Sequence, residues 1–284
     1  MIRRLARVCG LFLLLTNSVS AQQVVFSRRV YAAQGTTYQQ LWIWSASDGS
    51  LKQLTHSARD HNTPICSRDG KQVFFDAVRG SLVQGHWRLD RDTGMEQPTN
   101  DVPPVADTVA RDTLNGRLAH CDDRTWSPSP DGSRLACTAS GQDIVIVDLG
   151  TQKEIDRIPF GQQYSSGGPY PPWPLQSTWS PDGQALLVGV YGENSSSTSS
   201  RLDYFVLDLA TKTWTRAMTG DSPVWLPGRD AIIYETPRDL APLPPDGAHS
   251  VWSAHLARFD LSTRKETLLT SGVTNNVQPT LCGR

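Results

Sequence analysis

The sequence has little net charge and few long apolar runs. Its 27 Lys and Arg residues and 28 Asp and Glu residues give a formal net charge of −1 at pH 7. Proteins that bind nucleic acid present clustered positive charge, so this balance argues against nucleic acid as a partner. The apolar run over residues 8–15 is too short to cross a bilayer, and we expect no transmembrane helix.

The first 21 residues have the pattern of a secretory signal peptide. Three arginines (Arg3, Arg4 and Arg7) precede the apolar run, and Val19-Ser20-Ala21 forms a small-residue cleavage site. We therefore expect cleavage after Ala21, one mature domain over residues 22–284, and a periplasmic or secreted location. Without the three arginines, that domain has 24 basic and 28 acidic residues, a formal charge of −4.

Four cysteines lie in the expected mature chain: Cys66, Cys121, Cys137 and Cys282. In an oxidising compartment an even number of cysteines indicates disulfides, and four cysteines allow three different pairings. Buried free thiols are the alternative. The sequence leaves the pairing open.

Helical periodicity is absent after the signal segment, and a short motif recurs in its place. The copies are PICSRDGKQVFFDA (64–77), WSPSPDGSRLACTA (126–139), TWSPDGQALLVGV (178–190) and the weaker VWLPGRDAIIYET (224–236). Each copy precedes an alternating strand, a polar turn and a further short strand. The repeated unit is thus four short antiparallel strands, the size of a β-propeller blade.

The two ends of the mature chain complete one such unit between them. The segment VVFSRRV (24–30) matches the second strand of a unit, and residues 41–55 supply its third and fourth strands. The missing first strand matches NVQPTLCGR (276–284). We therefore predict an all-β fold, a single five-bladed propeller whose ring is closed by this C-terminal strand. Six blades are the alternative, because residues 98–120 have room for further strands.

The motif resembles the repeat of the TolB-like, WD-like β-propeller family, whose signature is W-S-P-D-G before an apolar strand. The residues that carry the resemblance are Trp179-Ser180-Pro181-Asp182-Gly183, with partial copies at Ser129–Gly132 and Ser67–Gly70. The resemblance implies the propeller fold and leaves the activity undefined. The Asp of each turn has a structural role, because Asp bonds its own turn backbone and Gly supplies the positive φ.

The long loops all fall on the side of the propeller opposite these short turns. They include residues 98–120, 159–174, 191–201 and 235–250. The loop 159–174 carries Tyr164, Tyr170 and Trp173, whose rings could anchor a partner protein or stack on a sugar. The alternative is that these rings only pack the loop against the domain.

Imidazole and carboxylate groups fall near the predicted starts of the innermost strands. A divalent metal could be held there by His61, His120, Asp122 and Asp221. The alternative is that they are ordinary polar residues at strand ends. The sequence contains neither H-E-x-x-H nor G-x-S-x-G.

These observations favour an exported binding or scaffold module over an enzyme. The expected partner is a protein or another cell-envelope component, and the expected state is a monomer without a cofactor. The alternative function is a metal-assisted, carbohydrate-active lyase or glycosidase at the mouth of the propeller channel.

Overall fold

The computed structural model describes residues 22–31, 37–67, 69–79, 83–101, 121, 125–139, 143–160, 174–191, 202–242 and 250–282. Every named element within these ranges is a β-strand. The same ranges contain no helix that is long and apolar enough to span a membrane.

Three separate four-stranded antiparallel sheets account for the first half of the chain and its last strand. Sheet I contains, in spatial order, Thr274–Cys282 (β21), Gln23–Val30 (β1), Gln40–Ser45 (β2) and Leu51–Gln53 (β3). Sheet II contains Asp60–Cys66 (β4), Gln72–Arg79 (β5), Val83–Asp90 (β6) and Glu96–Pro98 (β7). Sheet III contains Ser127–Pro128 (β8), Arg134–Thr138 (β9), Ile144–Asp148 (β10) and Lys153–Ile158 (β11).

The remaining strands form one seven-stranded sheet and a separate hairpin. The sheet contains Pro174–Trp179 (β12), Ala185–Tyr191 (β13), Leu202–Asp208 (β14), Thr213–Trp225 (β15), Ala231–Glu235 (β16), Leu256–Asp260 (β19) and Glu266–Leu268 (β20). Residues 213–220 of β15 pair with β14, and residues 221–225 pair with β16. The sheet therefore consists of two four-stranded units that share β15, sheet IV (β12 to β15) and sheet V (β15, β16, β19 and β20). The hairpin consists of Asp239–Pro242 (β17) and Ser250–Ser253 (β18).

The predicted unit of four antiparallel strands is confirmed in each of these sheets. The last strand, β21, pairs with β1, so that Arg28 lies opposite Asn276 and Val25 lies opposite Thr280. This is the strand order that the sequence predicts for sheet I. Blade number and ring closure stay predictions, because residues 102–120, between sheets II and III, lie outside the described ranges.

Apolar side chains fill the spaces between neighbouring sheets. Residues that share a cluster across two sheets include Val25 and Phe75 (sheets I and II), Phe26 and Ile233 (I and V), Leu187 and Ile232 (IV and V), and Ile146 and Leu186 (III and IV). Sheet I is thus covered on both faces, which explains why Leu41 and Ile43 alternate with two tryptophans along β2. The hydrophobic core lies between sheets.

The first strands of neighbouring sheets are joined by a hydrogen bond or a disulfide at three junctions: III with IV, IV with V, and I with II. Trp179 donates its indole N–H to the Ser127 carbonyl at 2.7 Å, and Trp225 donates to the Thr178 carbonyl at 3.1 Å. At the junction of sheets I and II, Cys66 takes the motif position of these tryptophans and forms a disulfide with Cys282. The second disulfide joins Cys137 of β9, in sheet III, to Cys121, which forms a β-bridge with Ala139.

Short turns close one end of each sheet and satisfy their own polar groups; we call these the turn ends. Asp69 accepts the Ser67 hydroxyl at 2.7 Å and the Lys71 N–H at 3.1 Å, while Gly70 has a φ of 70°. Asp131 and Asp182 have the same arrangement. The predicted structural role of these aspartates is confirmed, and their hydrogen bonds help to lower the pKa of each carboxyl.

Candidate interaction site at the loop ends

The opposite ends of the sheets, where β4 and β21 begin, are the loop ends. Most of the residues singled out from the sequence for binding or metal ligation lie outside the described residues, namely His120, Asp122, Tyr164, Tyr170 and Trp173. Two of the predicted metal ligands, His61 and Asp221, are described. In the described residues, the loop ends therefore consist of His61, Asp221 and side chains that the sequence did not single out.

His61 is fully buried, and both of its ring nitrogens have partners. Nδ1 lies 3.1 Å from the Gln39 carbonyl, and Nε2 lies 3.2 Å from a carboxylate oxygen of Glu96 and 3.2 Å from the Ser57 hydroxyl. The ring also packs on Phe75, with 4.8 Å between ring centres. In this arrangement His61 joins sheet I to sheet II.

Asp221 lies opposite Glu235 at the start of sheet V. Its carboxylate accepts the N–H of Ser222 at 2.7 Å. Glu235 is 2% exposed and accepts the N–H of Gln278 from β21 at 2.5 Å. Burial raises the pKa of Glu235, and the nearby charge of Asp221 raises it further.

Three first strands share a backbone feature that the sequence reasoning missed. Thr63, Ser222 and Gln278 each precede a proline, and each has a positive φ, of 52°, 46° and 58°. The pairing register shifts at each of these places. Such a conformation is uncommon for residues other than glycine, and it turns the backbone N–H out of the sheet ladder.

Two of these three freed N–H groups connect neighbouring sheets at the loop ends. The Thr63 N–H donates to the side-chain oxygen of Gln278 at 2.7 Å, and the Gln278 N–H donates to Glu235. In the sequence this feature is marked by a proline three residues before the Ser position of the turn motif, as in Thr63-Pro64 before Ser67 and Ser222-Pro223 before Leu226.

The β17–β18 hairpin, which we call the arm, extends the strands of sheet V beyond the loop end. At its base, the Thr236 N–H donates to the His255 carbonyl at 2.8 Å. Ala254 bridges to Asn275, and the Asn276 N–H donates to the Ala254 carbonyl at 3.1 Å. The arm therefore packs against β21. The sequence predicts a long loop over 235–250, and within that range the structure has strand residues at Glu235, Asp239–Pro242 and Ser250.

The arm presents two large apolar side chains to solvent. Leu240 lies directly opposite Trp252, and the two residues are 61% and 50% exposed. At the neighbouring loop end of sheet I, Val30 is 46% exposed. A Trp–Leu cross-strand pair that is left in water has the composition of an interaction anchor.

A metal site is not formed by the described residues alone. No group of three or more His, Cys, Asp or Glu side chains in the described ranges is arranged to hold an ion. The predicted metal set includes His120 and Asp122, which lie outside those ranges, so it stays a prediction.

Comparison with known proteins supports the fold class. No protein-family model and no curated protein matches the chain. The crystal structure of TolB from Acinetobacter baumannii is similar, with a TM-score of 0.51 and 16% identity over 93% of this chain and 67% of that one. A putative TolB from Agrobacterium tumefaciens is 14% identical over 88% of this chain and 89% of that one, but its TM-score of 0.35 is too low to support a fold assignment.

At these identities the likeness shows the fold alone. The chain has a TolB-like β-propeller fold, as the turn motif predicts. This likeness assigns neither a partner nor a cellular location to the chain.

Proposed function

We propose that this protein is an exported binding module whose arm contacts a protein partner in the cell envelope. The observation that carries the proposal is the exposed pair Leu240 and Trp252 on a hairpin that is separate from the four-stranded units. Export is supported by the signal-peptide pattern of residues 1–21 and by the two disulfides, which persist in oxidising compartments.

A protein partner fits the arm better than a small molecule does. Small ligands bind in concave sites that bury most of their surface. Leu240 and Trp252 instead lie opposite each other on a two-stranded hairpin, and both side chains are mostly exposed. A two-stranded hairpin is marginally stable alone, but this one is held by Ala254 against β21. The rigid base would allow the arm to offer its apolar pair without a large ordering cost.

The remaining parts of the proposal follow the sequence prediction. The propeller would have five blades over residues 22–284, with β21 closing the ring, and the protein would be a monomer. Support comes from the five four-stranded units and from the pairing of β21 with β1. The alternative, a metal-assisted lyase or glycosidase, depends on His120 and Asp122.

Site-specific photo-crosslinking tests the proposal. A benzoylphenylalanine residue replaces Trp252 in the full-length chain, produced in its native cells. The same probe replaces Ile155 or Leu268 as matched controls, because these side chains are 55% and 56% exposed on outer strands. We expect a discrete protein adduct from position 252 that is absent from both controls and is lost when Leu240→Ser is added. Identical adducts from all three positions, or none from position 252, would refute the proposal.

A further inference from the structure

Two adjacent arginines of β1 differ sharply in their surroundings. Arg29 forms an ion pair with Asp60 at 2.7 Å and donates to the Thr37 carbonyl at 3.0 Å. Arg28 points to the opposite face of the sheet, where its guanidinium lies 4.7 Å from the ring centre of Trp42. Arg28 has no ion pair with any described residue, and its buried Nε–H has no hydrogen-bond acceptor.

Other buried polar atoms near Arg28 also have no partner. Asn276, directly opposite Arg28, is fully buried, and its Oδ1 accepts no hydrogen bond. Its Nδ2 donates to the Ala254 carbonyl at 2.7 Å and to the Thr274 hydroxyl at 2.8 Å, which fixes the amide orientation. The buried Nδ1 of His255, at the base of the arm, is likewise unpaired.

His255 follows Ala254, whose carbonyl accepts both the backbone N–H and the Nδ2–H of Asn276, the residue opposite Arg28. Burial and the charge of Arg28 both lower the pKa of His255. Asp239, on the arm, acts on His255 in the opposite direction. Arg28 itself has a pKa lowered by burial, as expected for a guanidinium that has lost water and has gained no counter-charge.

Leaving buried polar groups unpaired costs stability, and a charged group costs more than a neutral one. The unpaired set here has a definite chemistry. Arg28 requires an acceptor, and a carboxylate suits a guanidinium best because its two oxygens match the planar donor fork. Asn276 requires a donor, such as an amide N–H.

We propose that Arg28, His255 and Asn276 form a binding site for a carboxylate that lies next to an amide N–H, carried by the protein partner that contacts the arm. A peptide has both groups, at a chain terminus or at an acidic residue. The inference rests on the proposed function only in assigning the carboxylate to a protein. A dianionic phosphate fits less well, because it brings no N–H donor for the Asn276 oxygen, and Asp239 repels two negative charges more strongly than the single charge of a carboxylate.

Four small molecules separate the required groups: N-acetylglycine has the carboxylate and the N–H, acetate has only the carboxylate, N-acetylglycinamide has only amides, and inorganic phosphate is the competing anion. The readout is the NMR signal of the Arg28 Nε–H in the full mature chain, assigned by its loss in Arg28→Lys. We expect N-acetylglycine to shift this signal saturably with a Kd of about 1 mM. Acetate should bind more weakly, and N-acetylglycinamide should not bind.

Matched variants decide the assignment, with backbone amide shifts and tryptophan fluorescence as readouts where the Arg28 signal is lost. Arg28→Gln should weaken N-acetylglycine binding by about tenfold or more, whereas Arg29→Gln should leave it nearly unchanged. The unliganded Arg28→Gln protein should melt close to the parent, because the substitution removes a half-buried guanidinium that contacts Trp42 but has no ion pair with a described residue. Equal binding in Arg28→Gln, equal or tighter binding of phosphate, or no saturable shift, which would indicate ordered water only, would each overturn the inference.

The two proposals fail separately. Leu240→Ser should abolish the arm adduct and leave N-acetylglycine binding intact. If N-acetylglycine binds and the arm gives no adduct, the carboxylate site stands for a free small molecule and the proposed protein partner is wrong. If the arm gives its adduct and N-acetylglycine does not bind, only the carboxylate site is wrong.

Discussion

The turn ends and the loop ends of the sheets differ in how completely they satisfy their own polar groups. At the turn ends, Asp131 and Asp260 accept hydroxyl and backbone N–H groups of their own turns, which lowers each pKa to about 2. At the loop ends, Arg28, His255 and Asn276 keep buried atoms without partners. These unpaired atoms are the reason why we place the proposed recognition at the loop ends.

The comparison is tested most severely by removing the strand that belongs to both ends. Truncation after Asn275 deletes most of β21, which carries Asn276 and Gln278 near the loop end and Cys282 near the turn end. We expect the truncated protein to fail to fold, since sheet I loses a strand, its disulfide and the Gln278–Glu235 hydrogen bond. Thermal unfolding followed by circular dichroism is the measurement. A cooperative transition near the parent melting temperature would contradict this account.

The second prediction compares the two disulfides. Cys66–Cys282 joins residues 216 apart in sequence, and Cys121–Cys137 joins residues 16 apart. The chain-entropy model gives a stabilisation of about 5 kcal/mol for the long loop and about 3 kcal/mol for the short one. Denaturant unfolding of Cys66→Ala/Cys282→Ala and Cys121→Ala/Cys137→Ala should show the larger loss in the first pair. The reverse order would mean that the first strands of sheets I and II are held together mainly by packing.

Much of the fold follows from the sequence because its signals are local. The Ser-x-Asp-Gly turn fixes where first and second strands meet, and the segment 143–149 that follows one turn motif identifies a third strand. The match between residues 276–284 and the other first strands also predicts the partner of β1. These features depend on short patterns that are repeated along the chain.

The candidate site follows much less from the sequence, because its features depend on which face a residue occupies and what lies opposite. Arg28 and Arg29 are identical neighbours in the sequence, and only the opposite faces of β1 separate the paired side chain from the unpaired one. The arm strands are four residues each within a proline-rich segment, too short for a periodic signal. His61 illustrates the same limit, since its partner Glu96 is 35 residues away.

The third prediction uses acid–base behaviour of opposite sign at the two ends. The pKa of Glu235 is raised in the folded protein, so its contribution is most favourable below the unfolded pKa and declines as pH rises through the folded value. The pKa of Asp131 is lowered to about 2, so its contribution is present above the unfolded value and is lost as pH falls toward 2. Glu235→Gln should therefore stabilise the protein at pH 7 and have little effect at pH 4. Asp131→Asn should destabilise it at pH 7 and have little effect near pH 2.

Melting temperatures measured across pH 2–8 for the parent and both variants check these signs. In Glu235→Gln the side-chain amide oxygen can still accept the Gln278 N–H, so the hydrogen bond between sheets V and I is kept as an internal control. If Glu235→Gln destabilises the protein more at pH 7 than at pH 4, the carboxylate contributes in its charged form and the loop end is better satisfied than we conclude.

The smallest expected effect on stability belongs to the arm. Leu240 and Trp252 are mostly exposed, so replacing both by Ser removes little buried apolar area, and the free energy of unfolding should change by less than about 0.5 kcal/mol. Val251→Ser, on the less exposed side of the same strand, is the matched control and should cost more. Equilibrium denaturation distinguishes the two cases. A loss of about 2 kcal/mol or more for the Leu240 and Trp252 changes would equal that of a core truncation. The pair would then be part of the packing of the domain. The exposed apolar surface at the loop ends would no longer support a partner-binding role.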